Sequence, residues 1–399
     1  IADYSTAQSY LNALVAPITS DGTGRDPGFS YMTTKRADQA SFSSGAYYGF
    51  GFRYNVFEGD FYFADTYEGA PAYEGGLRRG QRIVAINMGN GFESWDSIIE
   101  RGATNLEVFG PSDEPVTRGF RVDDNGVIRD ITITKAEVST PPLAGEPLLI
   151  QRPGDSPVGY LHFRRFIDSA DQPLREASAF FGQNGVTDLV IDLRYNGGGL
   201  LRVADTLLNL LGGIRANFQR SYIVNYNDNQ QRNNYTGYFG TESESMIALR
   251  IAFITSRGSA SASELLINSL DPHVDVVLVG EDTYGKAVGQ GAFDQSSECE
   301  TRLRLITFEI QNGLGQGGYY KGLYDSGRFD LCPADDDVRK PFGDVEGSSL
   351  ETALAWFDGS AVCDGPAAAK STALVPPIQD TWLIGEPPPI DREGGARSF

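Results

Sequence analysis

A serine at the mouth of an apolar helix and a lysine 25 positions further on are the two side chains best placed to do chemistry together. The segment 258-GSASASE-264 follows one apolar run and leads into a helix-period pattern, with Ala262, Leu265, Leu266 and Leu270 on one face. Ser261 therefore falls at a strand-to-helix turn. A nucleophile in that position has small neighbours that admit a substrate backbone. It also has the free N–H groups of a helix N-terminus, Ala262 foremost, facing the oxyanion that would develop. The same letters spell a capping box, Ser261-x-x-Glu264, which starts a helix without any chemistry, and taken alone the motif favours the cap.

The balance shifts with 280-GEDTYGKAVGQ-290, which follows the next apolar run and sets Lys286 behind a glycine and before Ala287 and Val288. The other lysines, Lys35, Lys135, Lys321, Lys340 and Lys370, mostly lie in polar or turn-like surroundings, where a lysine is normally solvated. To take a serine proton a lysine must be neutral. Bringing its pKa from ~10.4 to ~7 or 8 costs about 3 to 5 kcal/mol, which desolvation supplies. Histidine offers no better base. His162 sits inside the strand-like 160-YLHFRRF-166 and His273 in a loop after a proline, so both read as structural or surface residues. No G-x-S-x-G elbow occurs, which disfavours a Ser-His-Asp hydrolase.

The elements that must position this pair are legible from Gly159 onward. The runs 187-TDLVIDL-193, 249-LRIAFIT-255 and 274-VDVVLVG-280 read as strands buried on both faces, alternating with helices over 200–211 and 262–270. That alternation predicts an α/β core over residues 141–360, entered through a Pro-rich linker at 141–147. The polar, Asn/Gln-rich stretch 219–240 reads as an excursion or lid. Residues 47–140 are different: short alternating runs such as 59-GDFYFAD-65 and 82-RIVAIN-87 between glycine turns predict a separate β-rich unit. Residues 1–46 open with Tyr10, Leu11, Leu14 and Val15 at helical spacing, a helical cap segment followed by a Gly/Asp-rich connector, and 361–399 reads as a Pro-rich acidic tail.

Composition narrows the partners. Acidic residues outnumber basic ones 53 to 33, a net charge of -20 that disfavours a surface tracking phosphates, so nucleic acid is not expected. No apolar run reaches the roughly 20 residues needed to span a bilayer. The chain begins at Ile1, which fits a trimmed leader. With three cysteines, no C-x-x-C and two histidines, no metal site or cofactor is expected. One disulfide, Cys332 with Cys363 or with Cys299, would suit an oxidising compartment. The acidic run 334-ADDD-337 lacks calcium-loop spacing and reads as solvated. Arg194 reads as structural, pairing with Asp192 or Glu264, and Tyr319, Tyr320 and Tyr324 as packing residues.

Taken together, 258-GSASASE-264, 283-TYGKAVGQ-290 and 191-IDLRYNGGGLL-201 resemble the C-terminal processing peptidases, or tail-specific proteases. The resemblance implies a crotonase-like core and a Ser-Lys serine endopeptidase. Ser261 is then the nucleophile, Lys286 the base and Gln290 the group positioning the lysine, with an oxyanion hole from the N–H groups of Ala262 and a glycine of 197–199, here Gly198. It is this register that selects Ser261 over Ser259 and Ser263. Residues 47–140 resemble a PDZ domain, with 49-GFGF-52 (Gly49, Phe50, Gly51, Phe52) as the loop gripping a substrate carboxylate and Gln81 where an aspartate is usual. The expected partners are proteins or peptides with accessible C-termini, with an oligomer or adaptor compatible. The expected location is extracytoplasmic, whether periplasmic, lipid-anchored or secreted. The rival is a catalytically inactive protein on the same scaffold that binds peptide tails or a hydrophobic ligand; such a protein has no need of the base.

Overall fold

The structure is a computed structural model that describes residue 4, residues 6–19, 22–111, 114–294, 296 and 298–363, and the backbone of 397–398. The N-terminal segment holds α1 (Ala7–Thr19), β1 (Tyr31–Thr34) and α2 (Lys35–Ser44). Local chemistry sets the bounds of α2: Thr34 accepts the Ala37 N–H at its start, and Gly45 at φ 63° closes its end.

The β-rich unit follows as β2 (Tyr47–Gly49), β3 (Phe52–Phe57), β4 (Asp60–Thr66), α3 (Pro71–Glu74), β5 (Arg82–Asn87), β6 (Phe92–Ser94), α4 (Trp95–Glu100), α5 (Asn105–Phe109), β7 (Thr117–Asp124), β8 (Val127–Thr134) and β9 (Ala136–Val138). Strands β3, β4, β5, β7 and β8 lie side by side in that order, β6 adds to β5, and β2 pairs with β9 where the chain enters and leaves. The alternating apolar residues meet in a core of aromatic rings, among them Phe50, Phe52, Phe63, Phe109 and Phe120.

The remaining elements are β10 (Leu148–Ile150), β11 (Val158–His162), α6 (Asp171–Gln183), β12 (Asp188–Asp192), α7 (Leu201–Ala216), β13 (Arg220–Tyr226), β14 (Tyr235–Tyr238), β15 (Arg250–Thr255), α8 (Ala262–Leu270), β16 (Asp275–Gly280), β17 (Val288–Asp294), β18 (Thr301–Asn312), β19 (Leu331–Pro333), α9 (Ser348–Phe357) and β20 (Arg397–Ser398). One sheet runs β10-β11-β12-β15-β16-β19, parallel except at β10. Both its faces are covered, which is why the central residues of its strands are apolar on both sides. Leu189 and Ile191 face the layer of α6, α7 and α8, while Val190 between them faces α9.

The second core sheet, β14-β13-β18-β17-β20 with β1 on β18, is antiparallel. It corrects the reading of 219–240 as a lid. That stretch is the β13–β14 hairpin: Tyr222 and Val224 of β13 are buried in the core, and the Asn/Gln-rich residues 227–234 form the connection between the two strands. The Pro-rich 141–147 is likewise no free linker, since the Pro142 carbonyl accepts the Arg164 N–H at 2.7 Å and Leu143 bridges to Phe163.

Buried ion pairs join the β-rich unit to the core. Arg164 lies 2.8 Å from Asp65 and 2.7 Å from Glu68. Arg79 pairs with Asp336 at 2.8 Å. Asp336 belongs to the acidic run expected to be solvated; instead it is shared by Arg79, Arg194 and Tyr195. Burial pushes its carboxyl up, but the two guanidinium groups outweigh burial and hold it well below the usual range. Arg194 also pairs with Asp192 at 2.6 Å, the structural role expected of it. Tyr319 is buried in the core. Cys332 and Cys363 form a disulfide, which leaves Cys299 outside that bridge. Most of the acidic tail lies outside the described residues.

Candidate active site

Three parallel strands end at one edge of the first sheet, and the loops leaving them carry the candidate residues: Gly198 after β12, Ser261 after β15 and Lys286 after β16. Crevices at the carboxyl ends of parallel strands are where α/β sheets place ligands. The chain makes a sharp turn into α8 in which Ser261 takes φ 63° and ψ -114°, outside the extended geometry of an ordinary N-cap. Hydrogen bonding separates the three serines. The Ser259 hydroxyl donates to the Leu193 carbonyl at 2.7 Å and the Ser263 hydroxyl to the Asn196 carbonyl at 2.8 Å. The Ser261 hydroxyl sits in the capping-box arrangement with Glu264 but, among the described residues, makes no hydrogen bond of ordinary geometry.

Glu264 does more than cap. Its Oε2 accepts the backbone N–H of Ser261 at 2.8 Å and of Lys286 at 2.9 Å. Its Oε1 accepts the Thr283 hydroxyl and the Gly285 N–H, both at 2.7 Å. One fully buried carboxylate therefore ties the serine turn to the lysine loop. Burial pushes that carboxyl up to about 7, against the opposing pull of these four donors.

Lys286 is itself buried, with 1% exposure. Its Nζ lies 4.9 Å from the centre of the Phe29 ring, over the ring face. Gln290, on β17 and fully buried, donates its Nε2–H to the Phe29 carbonyl at 2.5 Å. Both side chains thus meet the connector between α1 and β1, a segment read from sequence only as part of a cap.

Gly198 is pressed against the serine turn. At φ 96°, a Cβ there would stand 2.6 Å from the Ala262 nitrogen and 2.8 Å from the Ser261 Cβ, so only glycine fits. Its N–H, expected to face an oxyanion, donates to the Asn196 Oδ1 at 2.9 Å. Asn196 also accepts the Ala260 N–H on its backbone carbonyl at 3.0 Å, fastening the glycine turn to the serine turn. Ala262 opens α8, where the first N–H groups of a helix have no intrahelical partner.

Sequence reasoning thus missed Asn196 and Phe29 and saw Glu264 as a cap or a partner of Arg194. Asn196 stands inside the 191–201 motif and was within reach. Phe29 lies 261 positions from Gln290, and nothing local marks it. The loop 49–52 stands apart from these residues, in the β-rich unit, with the Phe50 and Phe52 side chains buried in its aromatic core. Gly51 takes φ 85°, where a Cβ would collide with that of Ala70 at 2.1 Å. His162 is buried in β11, and burial brings its imidazole down to about 4. Among the described residues no cluster of three or more His, Cys, Asp or Glu side chains could hold a metal ion, and no helix is long and apolar enough to cross a membrane.

Comparison with known proteins bears on this arrangement. Residues 157–318 match the model of peptidase family S41. The carboxyl-terminal-processing protease of Synechocystis sp. is 28% identical over 241 residues, covering 60% of this chain and 53% of that protein. The carboxy-terminal processing protease CtpB of Bacillus subtilis is 26% identical over 296 residues, covering 73% and 58%. The chain therefore spans little more than half the length of these curated relatives. In fold it resembles a crystal structure named for an S41 protease of Bacteroides fragilis, with a TM-score of 0.70 at 22% identity, covering 90% of this chain and 91% of that one.

Proposed function

Because residues 157–318 match the model of peptidase family S41, we propose that the chain is a serine endopeptidase that cleaves proteins at or near an unstructured C-terminus through Ser261 and Lys286. The observation that carries this reading is the Glu264 carboxylate, which receives the N–H groups of both residues and so makes one rigid unit of nucleophile and base. The burial of Lys286 supports its role, because a desolvated amine gives up its proton more readily than a solvated one. An unspent hydroxyl on a strained turn supports Ser261.

In this mechanism the Ser261 Oγ attacks the scissile carbonyl carbon while its proton passes to the Lys286 Nζ. The oxyanion takes the Ala262 N–H and a second N–H from the 197–199 turn. Because the Gly198 N–H is held by Asn196 here, that donor is either Gly198 after a small rotation of the turn or the adjacent Gly199. Collapse expels the amine, which takes the proton from Lys286. Water then attacks the acyl-serine, giving its proton to Lys286; collapse breaks the bond to the Ser261 Oγ, which takes that proton back from Lys286 as the acid product leaves. Gln290 holds the lysine's surroundings in place through the Phe29 carbonyl.

The β-rich unit is the tail-capturing module in this reading, a PDZ domain whose 49–52 loop grips the terminal carboxylate while the substrate adds as a strand. The buried disulfide partner Cys332 supports an extracytoplasmic location.

The test compares the chain with its Ser261→Ala and Lys286→Ala variants on an unfolded substrate whose C-terminus is free or amidated, with fragments followed by mass spectrometry. Both variants should be inactive while folded, and amidation should slow cleavage by the parent chain. Equal cleavage by parent and Ser261→Ala would sink the serine assignment and leave the peptide-binding alternative; indifference to amidation would sink the capture step.

A further inference from the structure

The connector between α1 and β1 is built with more care than a linker needs. Asp26 Oδ1 accepts the N–H groups of Phe29 at 2.7 Å, Ser30 at 3.1 Å and Gly28 at 3.3 Å, and its Oδ2 accepts the Ser30 hydroxyl at 2.6 Å. The Ser30 oxygen in turn accepts the Ile306 N–H of β18 at 3.2 Å. Asp26, Phe29 and Ser30 are each no more than 3% exposed. This turn fixes Phe29 in three contacts at the candidate site: its ring under the Lys286 ammonium at 4.9 Å, its carbonyl on Gln290 at 2.5 Å, and its ring 5.8 Å from that of Tyr284 in the lysine loop. The turn itself lies outside residues 157–318, while the groups it meets lie within them.

We propose that the Asp26–Ser30 turn completes the base pocket and that Phe29 is the positioning residue for Lys286, holding its amine toward the serine and stabilising the ammonium that forms when the serine proton arrives. The inference rests on the Ser261–Lys286 reading. Its physical basis is the negative face of an aromatic ring, which attracts an ammonium most strongly where water is excluded. A base that becomes cationic as it works gains from a ring face already in place, since nothing need reorganise during proton transfer. A connector from the far end of the chain thereby becomes a working part of the site.

The comparison is the full chain against Phe29→Leu, which keeps a dry apolar filling without the ring, and Phe29→Tyr, which keeps the ring. The titratable groups on the surrounding elements are the same in all three: Glu264 on α8, Asp26 in the turn, Tyr284 in the lysine loop, Tyr319, and Glu309 on β18 with its partners Arg25 and Tyr320. Loss of the ring removes stabilisation of the charged form. The acid limb of kcat/KM in Phe29→Leu should therefore move to lower pH by about 0.5 to 1.5 units. Its kcat should fall about tenfold with KM nearly unchanged, and Phe29→Tyr should retain both the limb and the rate. The lysine 13Cε signal of Lys286, identified by its loss in Lys286→Ala, should titrate with the same downward shift, a readout that needs no turnover. A coincident Lys286 midpoint in Phe29→Leu and the parent, or equal impairment in Phe29→Tyr, overturns the proposal whatever the activity does. Activity persisting in Ser261→Ala overturns the protease reading instead. Should Phe29→Leu fail to fold, Phe29→Met supplies the same comparison.

Discussion

At Glu264 burial and hydrogen bonding oppose each other, and the outcome is readable in pH. Burial pushes the carboxyl up to about 7. A folded value above the unfolded ~4.3 means that the folded state holds the extra proton between the two, so stability falls as pH rises through that window and is level above it. The loss is on the order of 4 kcal/mol, and in Glu264→Gln this slope should vanish. Activity should run the other way. An ionised carboxylate accepts all four donors, whereas a protonated one sets its own O–H among them and releases one. Turnover should therefore drop as pH falls below about 7, and Glu264→Gln should lose about 10- to 100-fold in kcat across the range. Urea unfolding and kcat, each at three pH values from 4.5 to 7.5, check both signs. Parallel curves for variant and parent would contradict them.

At the scale of elements, the turns leaving β12 and β15 are locked into each other. Asn196 bonds to the serine turn through Ala260 and Ser263, and Gly198 packs where no side chain fits. In Gly198→Ala the added methyl must push Ala262 and Ser261 away, and the positive φ adds about 1 to 3 kcal/mol of strain. The expected result is a loss in kcat of about 10²- to 10³-fold, the scale of a lost oxyanion donor. Far-UV circular dichroism should match the parent, because the strands beneath are untouched. Gly199→Ala would press into the Phe166 carbonyl at 2.2 Å, on the side away from the serine, and should cost more stability. Kinetics with thermal melts on both variants separate the two glycines.

For the whole molecule, the disulfide closes a loop with a sequence separation of 31 that carries β19, Asp336 and α9. The chain-entropy account assigns such a closure about 3 to 4 kcal/mol. Cys363→Ser should show that loss in denaturant unfolding, and dithiothreitol should bring the parent chain down to the same level; insensitivity of the parent would show that the bridge adds nothing. The same loop holds Asp336 against Arg79 and Arg194, so the β-rich unit is docked by residues drawn from three distant stretches. Opposite charges buried together are strongly destabilising to break singly. That is why Asp336, within a run solvated by the standards of composition, is structural in the fold.

Apolar period and glycine punctuation by themselves determined the α/β alternation, the β-rich unit before it, and the strand-to-helix placement of Ser261, because these depend on neighbours a few residues apart. The pairing of Ser261 with Lys286 came from the resemblance of their two motifs to the C-terminal processing peptidases, not from a local rule. The tertiary structure alone decided what depends on contact between distant segments. Three serines two residues apart look alike in sequence, and only the fold shows that the hydroxyls of Ser259 and Ser263 are bound to backbone carbonyls while that of Ser261 is not. The hairpin at 219–240 read as a lid because the polar run 227–234 dominates its composition, while the partners that bury Tyr222 and Val224 lie on the distant β18. Phe29 carries no local signal at all. Its place under Lys286 comes from β1 pairing with β18, a long-range register that brings the connector before β1 into the base pocket.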